Sequence, residues 1–105
     1  MTVMTFQMKG GHPVGFTCVG HSGYAEAGQD IVCAAISAMT QLVIGYAEKY
    51  RLSVSVLMEE EDGMMECRMK EECEEFKRLL ATLRDACNEI ASQYPTYFTV
   101  KSTEV

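Results

Sequence analysis

The spacing of apolar residues switches between two periods along the chain, and this switch constrains the fold more than any other feature. Apolar and polar residues alternate in five short segments, which predicts strands over residues 1–8, 14–19, 53–58, 64–69 and 96–101. Two longer segments repeat apolar residues every three or four positions, which predicts helices over residues 30 to about 50 and 71–94. The predicted order is β-β-α-β-β-α-β. We therefore expect an α+β fold in a single domain over residues 1–105, with one mixed or antiparallel sheet and two long helices. The strand order is not defined by the sequence.

The first predicted helix is apolar around most of its circumference. Such a helix is expected either in the middle of a fold or at an interface between subunits. The second has a single apolar face, and Pro95 is expected to end it. Glycine-rich and acidic turns are predicted over residues 9–13 and 59–63, between successive strands. The acidic residues 59–62 are expected to be solvated, with contact to a basic substrate as the less favoured alternative.

Charge and cysteine content narrow the range of partners and compartments. The 105-residue chain has a formal net charge of −6, which argues against direct nucleic-acid binding and fits a basic protein or peptide as partner. It has five cysteines, an odd number, and no Cys-x-x-Cys motif. It shows neither a signal peptide nor 18 consecutive apolar residues. We expect a soluble cytoplasmic protein with free thiols and no membrane partner.

The segment from Gly20 to Asp30 has little apolar character and is predicted to be a mobile loop. Asp30 is expected to cap the following helix by accepting a hydrogen bond from the N–H of Val32 or Cys33. Cys33 then occupies the third helical position, where the helix dipole favours the thiolate, which is the nucleophilic form. The N–H groups of the first turn are also expected to stabilise an oxyanion during acyl transfer.

His21 is the candidate general base for Cys33, since it begins the loop that leads to the helix. Ser37 lies one turn after Cys33 on the same helical face and is expected to position a substrate or the His21 ring. Three glycines, Gly20, Gly23 and Gly28, are predicted to let the loop open for a substrate peptide and close over it, and Ser22 is predicted to belong to the same substrate loop.

Other interpretations compete with catalysis. A free cysteine near a helix start is usually a small buried hydrophobic residue. The spacing of Cys18 and His21 resembles a metal site, but a structural zinc site needs four ligands and the sequence has no second cluster. No metal or cofactor is therefore expected. Two alternative functions remain: a non-enzymatic adaptor that binds basic proteins, and a thiol-redox or metal-sensing protein.

Two stretches closely resemble the signature of a known protein family. Residues 20–25 read Gly-His-Ser-Gly-Tyr-Ala, and residues 28–37 read Gly-Gln-Asp-Ile-Val-Cys-Ala-Ala-Ile-Ser. They resemble the ribosomal-processing cysteine protease family, Prp. The resemblance extends over the whole chain, including Gly-Phe-Thr at 15–17 and Tyr-Pro at 94–95.

The resemblance implies a bacterial cysteine endopeptidase, usually a homodimer. Its substrate would be the N-terminal extension of large-subunit ribosomal protein twenty-seven, cleaved after an aromatic residue. The family's catalytic histidine and cysteine fall on His21 and Cys33. Ser22 stands where alanine is also common in the family, which is a change between small residues.

Overall fold

Five strands and two helices follow one another in the predicted order. The computed structural model describes residues 1–26, 28–61 and 63–105; Ala27 of the predicted loop and Asp62 of the predicted acidic turn lie outside the described residues. The elements are β1 (Thr2–Lys9), β2 (His12–Val19), α1 (Ile31–Lys49), β3 (Val54–Glu59), β4 (Met64–Met69), α2 (Glu74–Gln93) and β5 (Phe98–Glu104).

The strands form one mixed sheet in the order β3-β4-β2-β1-β5. The pairs β1–β2, β2–β4 and β3–β4 are antiparallel, whereas β5 runs parallel to β1. The parallel pair arises because α2 carries the chain from β4 across the sheet to the far side of β1. The predicted α+β single domain with a mixed sheet is confirmed.

Alternation along β1 and β2 defines the apolar face of the sheet. Met4, Phe6 and Phe16 are fully buried and belong to one core with the apolar stripes of both helices. Val32, Ile36, Thr40, Val43, Ile44 and Ala47 are the buried side chains of α1, and Phe76, Leu80, Leu83 and Cys87 are those of α2. The polar alternate residues Gln7 and Thr17 are hydrogen-bonded to each other between neighbouring strands at 3.0 Å.

Within one chain, α1 is not buried around its circumference. Leu42, in the middle of the helix, is 71% exposed, and Ile31 is also exposed. The prediction that α1 lies in the middle of the fold is therefore wrong. The other prediction, that α1 lies at an interface between subunits, stays a prediction. By length and composition α1 could cross a membrane. Five of its six buried residues, all except Thr40, nevertheless belong to the hydrophobic core, as those of a core helix do.

Several element boundaries differ from the predicted ones for local reasons. Helix α2 begins at Glu74 rather than residue 71, because Cys73 has an extended backbone, with φ −139° and ψ 120°, and is the N-cap. Glu72, ahead of the helix, pairs with Lys77 at 2.8 Å and with Lys9 at 3.3 Å. Pro13 lies within β2 and pairs with Met8 beside an irregularity in the β1–β2 register. Proline is tolerated in strands at such irregular positions.

Candidate active site

His21, Cys33 and Ser37 all lie where two cavities meet. One cavity, of about 280 Å³, lies between α1 and the turn that joins β3 to β4. The other, of about 520 Å³, lies between the loop 20–30 and the start of α1. These three residues are common to the linings of both cavities, so a groove passes over the Cys33 thiol. An extended peptide in this groove would have the thiol near its middle.

Asp30 caps α1 as predicted. Its backbone is extended, with φ −85° and ψ 98°, and its Oδ1 accepts a hydrogen bond of 2.9 Å from the N–H of Cys33. This places Cys33 in the first helical turn, where the positive end of the helix dipole favours the thiolate. The same bond occupies the Cys33 N–H, so this member of the first-turn N–H groups is not free to bind an oxyanion, and oxyanion stabilisation by the first turn stays a prediction.

The Asp30 carboxylate is held in its ionised form. Hydrogen bonds from the Cys33 N–H and, less strongly, from the Ser22 hydroxyl lower its pKa from 3.8 to about 2. The N–H of Tyr24 also donates to Oδ2 at 3.2 Å. Asp30 therefore ties the loop to the helix start and is an acceptor only at neutral pH.

The Cys33 thiol lies against Ser22 in the loop. The N–H of Ser22 donates to Sγ at 3.3 Å, and Sγ is also 3.3 Å from Oγ of Ser22. Cys33 is half-buried, whereas Ser22 is only 2% exposed. The thiol is therefore fixed from the side of the loop and remains open to the groove.

The His21 ring is exposed and rests on the β3–β4 turn. A Cβ added to Gly63 would lie 3.0 Å from both Cε1 and Nε2 of the ring. The Gly20 N–H donates to the Gly63 carbonyl at 3.2 Å, which fixes the two segments side by side. In the described part of the chain, no hydrogen bond joins His21 to Cys33. Catalytic hydrogen bonds are often long without substrate and tighten when it binds.

Comparison with known proteins identifies the family. The family model described as cysteine protease Prp matches residues 1–99. The chain belongs to this family of cysteine proteases. No curated protein sequence matches the chain.

Solved structures share the whole fold. SMU.848 from Streptococcus mutans is 27% identical over 100% of this chain and 96% of its own, with a TM-score of 0.86. The essential ribosomal processing protease Prp from S. aureus, solved with a covalently linked product peptide, is 19% identical over 98% of this chain and 100% of its own, with a TM-score of 0.90. The same S. aureus protease with a substrate peptide is 18% identical over the same shares of the two chains, with a TM-score of 0.85. At these identities the S. aureus structures show that the Prp fold is present.

The remaining predicted site residues belong to the loop and differ in what they contact. Gly20 lines the first cavity, whereas Gly23 and Gly28 line the second. Ser22 lies beneath the loop surface against Cys33. Tyr24 packs edge-on against Tyr94 and Tyr97, with ring centroids 5.5 and 5.2 Å away. These aromatic contacts anchor the loop to the segment between α2 and β5.

The other thiols differ from Cys33 in their surroundings. Burial raises the pKa of Cys67 to about 11 and that of Cys87 to about 12. Burial, with a smaller contribution from the nearby Cys33, raises the pKa of Cys18 to about 11. A buried thiol with a raised pKa carries almost no thiolate at neutral pH. Cys33 and Cys73 are the two half-buried thiols, and of these only Cys33 lines the groove among the described residues.

The wall of the groove opposite α1 is formed by residues at the acidic turn, for which contact with a basic substrate was the less favoured alternative. Met58, Glu59, Glu60 and Met64, at the β3–β4 turn, line the first cavity. The acidic residues and Gly63 predict a turn here, and the solvated turn was favoured because the sequence does not show that the turn faces Cys33. Within residues 1–26, 28–61 and 63–105, no three His, Cys, Asp or Glu side chains come together to hold a metal ion.

Proposed function

We propose that this protein is a cysteine endopeptidase that removes the N-terminal extension of large-subunit ribosomal protein twenty-seven. The observation that carries the proposal is the position of His21 and Cys33 together at the junction of two cavities. A peptide that is cut in its interior needs space on both sides of the scissile bond. Membership of the Prp family supports the peptidase activity. The S. aureus relative is a ribosomal processing protease, which supports a ribosomal protein as the substrate.

His21 takes the Cys33 proton, and the thiolate attacks the carbonyl carbon of the scissile bond. The resulting tetrahedral species collapses to a thioester as His21 gives its proton to the leaving amine. Water, activated by His21, then hydrolyses the thioester and regenerates the thiol. His21 is exposed and lines the same two cavities as Cys33, so its ring is free to turn across the groove towards the thiol.

The oxyanion needs a donor other than the Cys33 N–H, which Asp30 already occupies. Ile31 lines the second cavity at the first position of α1. The first N–H groups of a helix lack intrahelical partners and carry the positive end of the dipole. We assign oxyanion stabilisation to this N–H. Ser37, exposed to the groove one turn after Cys33, is assigned to binding the substrate backbone.

The acidic wall of the groove suits a basic substrate. Glu59 and Glu60 line the first cavity, and the whole chain carries a net charge of −6. Ribosomal proteins are rich in lysine and arginine, and opposite charge accelerates association at low salt. Replacing both glutamates by glutamine is expected to weaken binding of the basic precursor and to make this binding less dependent on salt. The same change at Glu48 and Glu104, which are exposed and outside both cavities, is the matched control.

The activity is tested with the precursor of ribosomal protein twenty-seven from the same organism. Mass measurement after incubation should show one new N-terminus and the released tail. Cys33→Ala should abolish cleavage without unfolding the domain, since alanine is well tolerated in helices. Cys73→Ala is the matched control, because Cys73 is also a half-buried thiol at a helix start. His21→Ala should slow turnover by about 10²-fold or more while the precursor still binds.

An intact precursor with the wild-type protein would contradict the proposed substrate. Stable binding without cleavage would favour the adaptor alternative. Equal loss of activity in Cys33→Ala and Cys73→Ala would show that the effect of the first is not catalytic.

We further propose that two copies of the chain associate through exposed apolar side chains. Leu42 is exposed on α1, and Val56, Leu57 and Met58 are exposed on the edge strand β3. Large exposed apolar groups are typical of interfaces. Sedimentation should give a dimer for the wild type and a monomer for Leu42→Glu; a wild-type monomer at micromolar concentration would contradict this.

The cytoplasm is the proposed compartment, since all five cysteines are free. Fractionation of the source cells tests this, and recovery of the protein outside the cytoplasmic fraction would contradict it.

A further inference from the structure

The hydroxyl of Ser22 lies between a carboxylate and the thiol of the groove. It donates its hydrogen bond to Oδ2 of Asp30, and its Oγ lies 3.3 Å from Sγ of Cys33. Ser22 is 2% exposed, so water does not compete freely for these positions. Asp30 and Cys33 are in turn joined at the start of α1, where the Cys33 N–H donates to Asp30 at 2.9 Å.

The number of protons in this cluster fixes the direction of each hydrogen bond. Asp30 is ionised because its pKa is lowered to about 2, so it can only accept. The proton between Asp30 and Ser22 therefore belongs to the hydroxyl, which has no second proton to donate. Its lone pairs face the N–H of Tyr24 at 3.3 Å and the sulfur of Cys33. A neutral thiol can donate its proton to Oγ, whereas a thiolate cannot.

We propose that Ser22 is a positioning residue for Cys33, whose hydroxyl, held by Asp30, accepts the S–H of the resting thiol and fixes the direction of Sγ. The Ser22 N–H, which donates to Sγ at 3.3 Å, holds the sulfur from the same side. The oxygen end of the hydroxyl dipole points at the sulfur and disfavours the thiolate. Ser22 thus keeps the thiol of Cys33 oriented until His21 removes the proton.

The proposal predicts how Cys33 titrates when the hydroxyl is removed. Ser22→Ala keeps the backbone N–H but removes the acceptor and the opposing dipole, so the thiolate should form at lower pH. A hydrogen bond of ordinary net strength corresponds to a midpoint about half to one pH unit lower. The titratable groups around the thiol stay the same in the variant: His21, Asp30, Cys18, Glu59 and Glu60. Cys18, whose pKa is about 11, stays protonated over this range.

The experiment follows alkylation of Cys33 by iodoacetamide from pH 5 to pH 10, with peptide mass mapping to separate it from the other cysteines. Ser22→Ala should show the lower midpoint, and Ser22→Thr, which restores a hydroxyl, should return it towards the wild-type value. Ser92→Ala, an exposed serine-to-alanine change on α2, should leave the midpoint unchanged. Thermal unfolding of each variant shows whether it is folded. If Ser22→Thr does not fold, the proposal is tested by the alkylation midpoint of Ser22→Ala alone.

If the midpoint of Cys33 alkylation is the same in Ser22→Ala as in the wild type, the role of Ser22 is only structural. This holds even if the alkylation rate falls equally at all pH values. A higher midpoint would mean that the hydroxyl donates to the thiolate, and would overturn the proposal equally. The catalytic importance of this positioning rests on the proposed function, but alkylation measures the thiol itself. A protein that cleaves no precursor but shows the lower midpoint would refute the proposed substrate and leave the role of Ser22 standing.

Discussion

Gly63 sets the position of the His21 ring, and a single added methyl group tests this. The Cβ of Gly63→Ala would lie 3.0 Å from Cε1 and Nε2 of His21 and 3.2 Å from the carbonyl oxygen of Gly20. Non-bonded carbon atoms prefer separations of about 3.5–4.0 Å, so the ring has to retreat by roughly 0.5 Å or more. The Gly20 backbone yields less readily, because its N–H is bonded to the Gly63 carbonyl.

The size of the effect follows from a comparison with Gly10. Gly63 has φ +58° and Gly10 has φ +59°, so alanine at either position adopts the same left-handed backbone. This conformation costs about 1–2 kcal/mol for a residue with a Cβ. A Cβ at Gly10 would meet nothing within 4 Å. A 1 Å misplacement of a catalytic group costs up to about 10²-fold, so we expect about a tenfold loss of kcat/KM in Gly63→Ala and less than about a twofold loss in Gly10→Ala.

The assay measures precursor cleavage and thermal unfolding for the wild type and both variants. Similar decreases in Tm with a rate loss confined to Gly63→Ala would support the contact with His21. If Gly63→Ala cleaves as fast as Gly10→Ala, the His21 ring is not held by this turn, and the reasoning fails.

Two further predictions concern stability. The lowered pKa of Asp30 means that its ionised form stabilises the folded state above about pH 4, and this stability is lost as the pH falls towards about 2. Unfolding of Asp30→Asn measured from pH 5 to pH 2 should lack this pH-dependent loss, and parallel curves for variant and wild type would disprove the linkage. Leu80 is fully buried, so Leu80→Ala should lower the free energy of unfolding by about 2–5 kcal/mol. Thr82→Ala, an exposed change on the same helix, should alter it by less than about 0.5 kcal/mol, and equal losses in denaturant titrations would contradict the assigned core.

The fold was predictable where the signal is local. Two apolar periods gave the order of elements, and the side chain of Asp30 caps α1 as its position before an apolar helix predicts. The pairing of β5 with β1 was not predictable. The two strands lie at opposite ends of the chain, and no local sequence pattern indicates that they pair. Alternation predicts the strand β3 but not how much of it is buried: Val56 and Met58 are exposed, since β3 is an edge strand of the sheet.

In the candidate site, too, local features were predictable and contacts between distant segments were not. His21 and Cys33 belong to one continuous stretch of sequence, so their proximity could be predicted from the loop that joins them. The contact of Gly63 with the His21 ring depends on a turn about 40 residues further along the chain, and sequence spacing does not report it. The sequence places Ser22 in the loop but does not report its burial, which comes with the hydrogen bond from its hydroxyl to the carboxylate of Asp30.

The central claim is that Cys33 is the nucleophile, and active-site labelling tests it most directly. The reagent is the released precursor tail, made as a peptide with a chloromethyl ketone in place of its terminal carboxylate. We predict one covalent adduct per chain, mapped by mass spectrometry to Cys33, with labelling much slower in His21→Ala. An adduct on Cys73 or another cysteine, or no adduct from a protein that cleaves the precursor, would contradict the account.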